Sequence, residues 1–312
     1  DTIAWPGADD VRVVDDVPIF LQDSSGLEFV EVGDGGHLYA VDNGTGIFWR
    51  LDVAADGTLT LSDEWAPGKR VRFQADADDP AAAGPDAEGI TVDGTGMLFI
   101  ASERDNSDKG VNKNTVLMVD PEAPGPDLVA LIEWEITDVL PAVGPNLGVE
   151  AIEWVPDEAL AGAIWDDALN KPYDPADYPD RRAGLYLAGV EANGLVYALA
   201  LADDGSAVIV STIDPKLGSV MALDHDPVLG VLWAMCDDGC DGLGAQIPLQ
   251  SDLTSPELDV LHVERPTTMP NINNEGFATG TICVDGQRSA WWFVDGVDVG
   301  SLRTDLLPCE DA

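Results

Sequence analysis

The chain has 312 residues, longer than an ordinary single core of about 100–200 residues, so it folds as two domains or as one large repeat or barrel architecture. Its 58 acidic residues against 15 basic ones give a net charge of −43, a surface that repels nucleic acid and anionic membranes and attracts cations. The hydrophobic fraction of 45% is that of a globular protein, and no run approaches the ~18 apolar residues of a membrane span.

No basic and apolar leader opens the chain at Asp1, and a secretory signal, where one existed, is expected to have been removed. The segment VRVVDDVPIF at 11–20 reads as a strand standing outside any repeat. A pattern then begins: a short apolar strand opened by Glu or a small residue, a Gly/Asp turn, a second apolar strand ending in an acid, and a third strand. Leu27-Glu28-Phe29-Val30 leads into HLYAVDN at 37–43 and GIFWRLDV at 46–53. Ala87-Glu88-Gly89-Ile90 leads into MLFIASE at 97–103 and TVLMVD at 115–120. Val149-Glu150-Ala151-Ile152 leads, past an insertion at 156–182, into GLYLAGVE at 184–191 and GLVYALAL at 194–201. The fourth copy, Gly218-Ser219-Val220-Met221, precedes VLWAMCDDG at 231–239, and the fifth, Asn274-Glu275-Gly276-Phe277, precedes SAWWFVDG at 289–296. The insertion holds the best helix candidate of the chain, or else forms an ordered loop over one face.

Runs rich in Val, Ile, Leu, Phe, Trp and Tyr between Gly, Asp and Asn turns are strands, and their radial repetition is how a propeller protects its edges. The expectation is therefore an all-β fold, one β-propeller domain over 1–312, with five blades by motif count and six possible. The fifth copy is one strand short, and the strand at 11–20 would close the ring by joining both chain ends in one blade. The tryptophans are expected to pack between blades.

Four cysteines are present. Cys236 and Cys240 read as a small loop closed on itself, which leaves Cys283 and Cys309 to pair; a zinc site is the alternative, but the spacing lacks a second ligand pair. Disulfides imply an oxidising compartment, so the protein is expected to be secreted or periplasmic.

The first strand of a propeller blade lines the central channel. Glu28, Glu88, Glu150 and Glu275, at one phase of that strand, are expected to converge there, with Ser219 taking the place of Glu in the fourth copy. Asp42, Asn43, Glu103, Glu191, Asp237 and Asp295 end the second strands near one rim. Crowded carboxylates need a cation or raised pKa values, and oxygen donors without His or Cys select a hard ion, Ca²⁺ ahead of Mg²⁺. The expected metal ligands are Glu28, Glu88, Glu150, Glu275, Glu103 and Glu191. Most of the net charge is explained by general solvation of the surface, as in halophilic proteins, since a Ca²⁺ site uses only a handful of oxygens. His37, His225 and His262 are isolated, and no GxSxG elbow, HExxH or Walker loop is present. Arg104 is the best candidate for a phosphate contact.

The residues DAEGITVDGTGMLFIASERDN at 86–106, with VEAIEW at 149–154 and NEGFATG at 274–280, resemble a motif shared by two related propeller groups, the esterase-like phytases and the SdiA-regulated (YjiK-like) exported proteins. The resemblance runs over roughly 27–300. It implies a propeller, export, and Ca²⁺ in the channel; its phytase side implies hydrolysis of phosphomonoesters by a metal-activated water. Ser219 and the lack of a phosphate-gripping Lys/Arg set depart from that side. The expected function is an exported, monomeric, Ca²⁺-binding scaffold for a small molecule or protein; the alternative is a Ca²⁺-dependent phosphoester hydrolase.

Overall fold

The computed structural model describes residues 2–310. Five sheets stand around one axis, and each copy of the sequence pattern is one blade. Blade 1 contains Ser24–Val32, Gly35–Asp42, Ile47–Val53 and Lys69–Arg72. Blade 2 is Pro85–Val92, Leu98–Asp105, Asn112–Val119 and Ile132–Glu135. Blade 3 is Val149–Val155, Leu185–Val190, Leu195–Leu201 and Ala207–Ile213. Blade 4 is Ala222–Asp226, Val231–Met235, Gly244–Pro248 and Leu261–Val263. Blade 5 is Asn274–Thr279, Gln287–Val294, Leu302–Pro308 and the N-terminal Arg12–Val13. The inner strands contact one another in the order of the blades, and the fifth returns to the first. There is no sixth sheet of this kind among the described residues; the remaining pair, Trp165–Asp166 with Lys171–Pro172, is a small hairpin in the 156–182 insertion. That insertion otherwise holds only a four-residue helix, Asp157–Leu160, because prolines at 156, 172, 175 and 179 interrupt any longer one.

Closure by the N-terminal segment is as expected, and it is double. Arg12–Val13 is the outer strand of blade 5, antiparallel to Leu302–Pro308. Ahead of it, Thr2–Ile3 runs parallel to Leu261–Val263 at the edge of blade 4. Between the two, Trp5 is buried against Trp233 of blade 4 and Phe277 and Trp292 of blade 5, and its Nε1 donates to Asp305 Oδ2 at 2.8 Å. Most tryptophans lie between sheets in this way, burying large apolar area where neighbouring blades meet.

The inner strands carry a shared irregularity. Ala87 pairs with Ser102 and Gly89 with Ala101, so Glu88 is an extra residue, a β-bulge. The same shift isolates Glu150 between Val149 and Ala151, and Glu275 between Asn274 and Gly276. In blade 1 it falls between Ser24 and Leu27, so the residue in register with Glu88 is Ser25, and Glu28 sits three positions further on. In blade 4 Met221 N donates to Met235 O and Ala222 pairs with Met235, which puts Met221, not Ser219, at the Glu position.

After the bulge the strands nearly touch. A Cβ on Gly89 would lie 2.5 Å from the Ile152 backbone nitrogen, and one on Gly26 would lie 2.9 Å from Glu88 O. Glycine follows Glu88 and Glu275 because a Cβ would clash there, and the corresponding residues after Glu150 and Met221 are the next smallest, Ala151 and Ala222. The axis at this level, lined by Leu27, Ile90, Ile152 and Leu223, retains about 10 Å³, at the limit for one water molecule. The expected channel is thus two polar mouths separated by an apolar plug.

Candidate functional site

The bulges aim Glu88, Glu150 and Glu275 into one mouth. Glu103, Glu191, Asp237 and Asp295 reach it from the ends of the second strands, where blade 1 supplies Asn43. Glu88 faces Glu275, Asp86 and Glu103; Glu150 faces Glu88, Glu103, Glu275 and Glu191; Glu275 faces Asp295, Asp237 and Glu191. Five of the six residues expected as ligands therefore converge.

Within this mouth Asp86, Glu88 and Glu103 are all buried and offer oxygens that lie within 4.8 Å of one another. Glu88 is held by Ser25 Oγ at 3.0 Å and Asn43 Nδ2 at 2.9 Å, both donating to its Oε2. Glu103 Oε2 accepts from Gly148 N at 3.1 Å, and a side chain on Gly148 would collide with Asn114 Oδ1 at 2.3 Å. Arg104 lies behind the three, with Nε 2.6 Å from Asp86 Oδ2 and Nη1 3.0 Å from Glu103 Oε1, and it also donates to Asn146 Oδ1. Glu275 Oε1 accepts from Asn273 Nδ2 at 2.9 Å, while its Oε2 is buried without a partner.

Burial is the largest cause of the titration behaviour here, followed by mutual repulsion at Glu88, Glu150 and Glu275, while at Glu103 the Gly148 N–H and Arg104 oppose it. Burial pushes Glu88 and Glu150 well above the usual carboxylate range, Glu275 up to about 8 and Glu103 up to about 7. Asp86 is raised too, although the Arg104 guanidinium opposes the shift. So many carboxyls around one guanidinium leave the mouth short of positive charge, and these residues could hold a hard cation: the donors are all oxygen, with three spaced as in a shell of oxygens 2.3–2.6 Å from Ca²⁺.

Glu28 is not part of this group. Its carboxyl lies at the opposite mouth with Glu153, Asp224 and Thr91. Its place three residues past Ser25 is the cause: the Leu27-Glu28-Phe29 string looks like the other openings but is out of register with them. Two acids of that second group, Glu153 and Asp224, were not singled out by the pattern, nor was Asp86 at the first mouth. Glu153 lies within VEAIEW and Asp86 within DAEGI, so their signal was the additional acid in each string, whereas Asp224 lies in no such string.

Of the other basic candidates, Lys109 acts on Asp86, while three are committed elsewhere. Lys113 Nζ is 3.6 Å from Asp105, Arg181 bonds Asp157, and Arg182 spans Asp93 and Asp203. Cys236 pairs with Cys240 and Cys283 with Cys309, so no free thiol is left for zinc. The 236–240 loop places Asp237 at the first mouth, and the 283–309 bridge ties the turn between the first two strands of blade 5 to the end of its C-terminal strand.

Comparison with known proteins agrees with this architecture. The phytase-like family, described as esterase-like activity of phytase, matches residues 19–213, which hold blades 1 to 3. No curated protein matches in sequence. Among solved structures, the exo-β-1,3-galactanase of Phanerochaete chrysosporium is similar with a TM-score of 0.52 at 10% identity, over 96% of this chain and 64% of that one, less than two thirds of the galactanase's length. A glycoside-hydrolase-like protein of Bacteroides ovatus is similar with a TM-score of 0.51 at 10% identity, over 97% of this chain and 95% of that one. At such identity these likenesses show the propeller and nothing of its chemistry.

Proposed function

The chain belongs to the phytase-like family, and from that premise we propose that it is an exported hydrolase of phosphoesters that works with Ca²⁺ held at the Glu88 mouth. The observation that carries this reading is the convergence of Asp86, Glu88 and Glu103, three buried carboxyls with oxygens inside 4.8 Å, beside a single guanidinium. Asp86, Glu88 and Glu103 would hold the ion, with Glu150 and Glu275 facing it from the neighbouring blades. Calcium held there would supply the positive charge that a phosphate group needs and would lower the pKa of water.

The chain's own residues supply the rest. Ser25, Asn43 and the Gly148 amide orient the donor oxygens, so little is reorganised when a ligand arrives. Arg104 bridges Asp86 and Glu103 and would offer its charge to a phosphate entering the mouth. Glu275, whose Oε2 is buried without a donor, is placed to take a proton from water in its ionised form. The two disulfides support the export part of the reading.

A second reading, a binding scaffold without catalysis, draws on one observation: Arg104 is already engaged by two carboxyls and an amide, so its donors are largely spent before a phosphate arrives. One experiment separates the two. Calcium is measured on protein dialysed against metal-free buffer, and turnover of a generic phosphomonoester is followed with and without added Ca²⁺. The hydrolase reading expects bound calcium and calcium-dependent turnover, both lost in Glu88→Gln. Bound calcium without turnover across an ester panel leaves the scaffold, and no bound metal removes both.

A further inference from the structure

The opposite mouth is a separate construction. Glu28 of blade 1, Glu153 of blade 3 and Asp224 of blade 4 line the floor of a cavity of about 550 Å³. Their hydrogen bonds do not close. Asp224 is satisfied by Thr279, whose N and Oγ1 donate at 3.0 and 2.7 Å. Glu153 Oε1 accepts from His225 N at 3.1 Å, but its Oε2 is buried with no donor, in a residue only 4% exposed. The carboxyl of Glu28 is within hydrogen-bonding reach of Glu153 and of Thr91, so the two glutamates share one hydroxyl donor, Thr91, and otherwise only a proton they carry themselves. A buried acceptor with no donor is costly, which makes the floor a place that wants N–H or O–H groups delivered from outside.

The charge around the floor excludes an anion. Glu31 accepts from Thr281 Oγ1, Asp93 is tied to Arg182, and Asp224 is backed by Asp226, which pairs with the buried Arg288. His225 lies beside it with burial lowering its pKa, so it adds no positive charge at neutral pH. The spacing also argues against a metal. Glu28, Glu153 and Asp224 do not offer oxygens all within 4.8 Å, the width of a Ca²⁺ shell, unlike the first mouth. An ammonium donates along separate, diverging N–H bonds to acceptors at about 2.7–3.2 Å, so it needs no closed shell of oxygens around it and can be held by two or three carboxyls that do not all converge on one point. Trp154, its indole fixed by donation to Ala183 O at 2.9 Å and packed on Gly94, forms one wall, and such a ring face attracts organic cations.

We propose that this mouth is a second binding site, which takes a primary organic ammonium group, with Glu28, Glu153 and Asp224 as counter-charges and Trp154 as the aromatic wall. Burial and mutual repulsion raise Glu28 and Glu153 well above the ordinary range and Asp224 to about 7, so an arriving cation displaces a proton from the group.

The test is calorimetric titration of the calcium-loaded full chain with 1,4-diaminobutane at pH 7 in 0.3 M NaCl, repeated in two buffers of different ionisation heat. One saturable site is expected, with close to one proton released per diamine. Affinity should fall at least tenfold in Glu153→Gln and in Glu28→Gln and stay unchanged in Glu88→Gln, whose failure to bind calcium is a separate result. Heat without saturation, or equal weakening in all three variants, would mean diffuse attraction to an acidic surface and would overturn the site. So would preference for an uncharged hexitol over the diamine, or a second calcium that survives Glu88→Gln and is lost in Glu153→Gln.

Discussion

Glu88, Glu150, Glu275 and Glu103 are buried carboxyls, and their protonation is the main lever on stability in the absence of a cation. Each has a folded-state pKa above its unfolded value of 4.5, so each folds most easily with its proton on. Their contribution is fully present below pH 4.5 and is lost as pH rises through about 7 for Glu103 and about 8 for Glu275. Scanning calorimetry in EDTA should therefore show a melting temperature that falls by several degrees between pH 5 and pH 9. Added Ca²⁺ should restore it chiefly above pH 7, where the carboxylates are free to bind. A flat profile would place these groups in water, ionised throughout.

At the level of elements, the N-terminal strap decides whether the ring holds. Thr2–Ile3 and Arg12–Val13 join blades 4 and 5 through Trp5, whose indole fills the space between them. Trp5→Ala should cost about 3–5 kcal/mol, the range for deleting a buried aromatic side chain, and chemical denaturation would measure it. A loss under 1 kcal/mol would mean that the two strands alone suffice. The strap is also where the sequence was legible: the last repeat lacked a strand, and 11–20 was apolar and unassigned. The parallel pairing of Thr2–Ile3 was not legible, because two residues carry no periodicity. The bulges explain the error at Glu28. A strand pattern read by letters aligned Leu27-Glu28 with Ala87-Glu88, whereas the sheet aligns Ser25-Gly26 with Glu88-Gly89, the pair that lets neighbouring backbones meet. A small residue after the axial position was the better marker, and in blade 4 it is Ala222 following Met221.

For the whole molecule the excess of acid remains the dominant physical fact. With a net charge of −43 and only 15 basic residues, most carboxylates face like charge across water. Screening shortens that repulsion from a reach of about 10 Å at 0.1 M salt to about 3 Å at 1 M. The melting temperature should rise by several degrees between 0.1 and 1 M NaCl with calcium held constant, measured by circular dichroism. Insensitivity to salt would mean that the surface charges are paired more fully than the ion pairs here imply.

The apolar floor between the two acidic faces has a kinetic meaning. With about 10 Å³ left on the axis, nothing larger than water crosses from one side to the other. The molecule is a pair of blind wells back to back rather than a conduit. Whatever enters either well must leave by the way it came, so release from the Glu88 side competes directly with arrival of the next ligand, while occupancy of the other side leaves that doorway open.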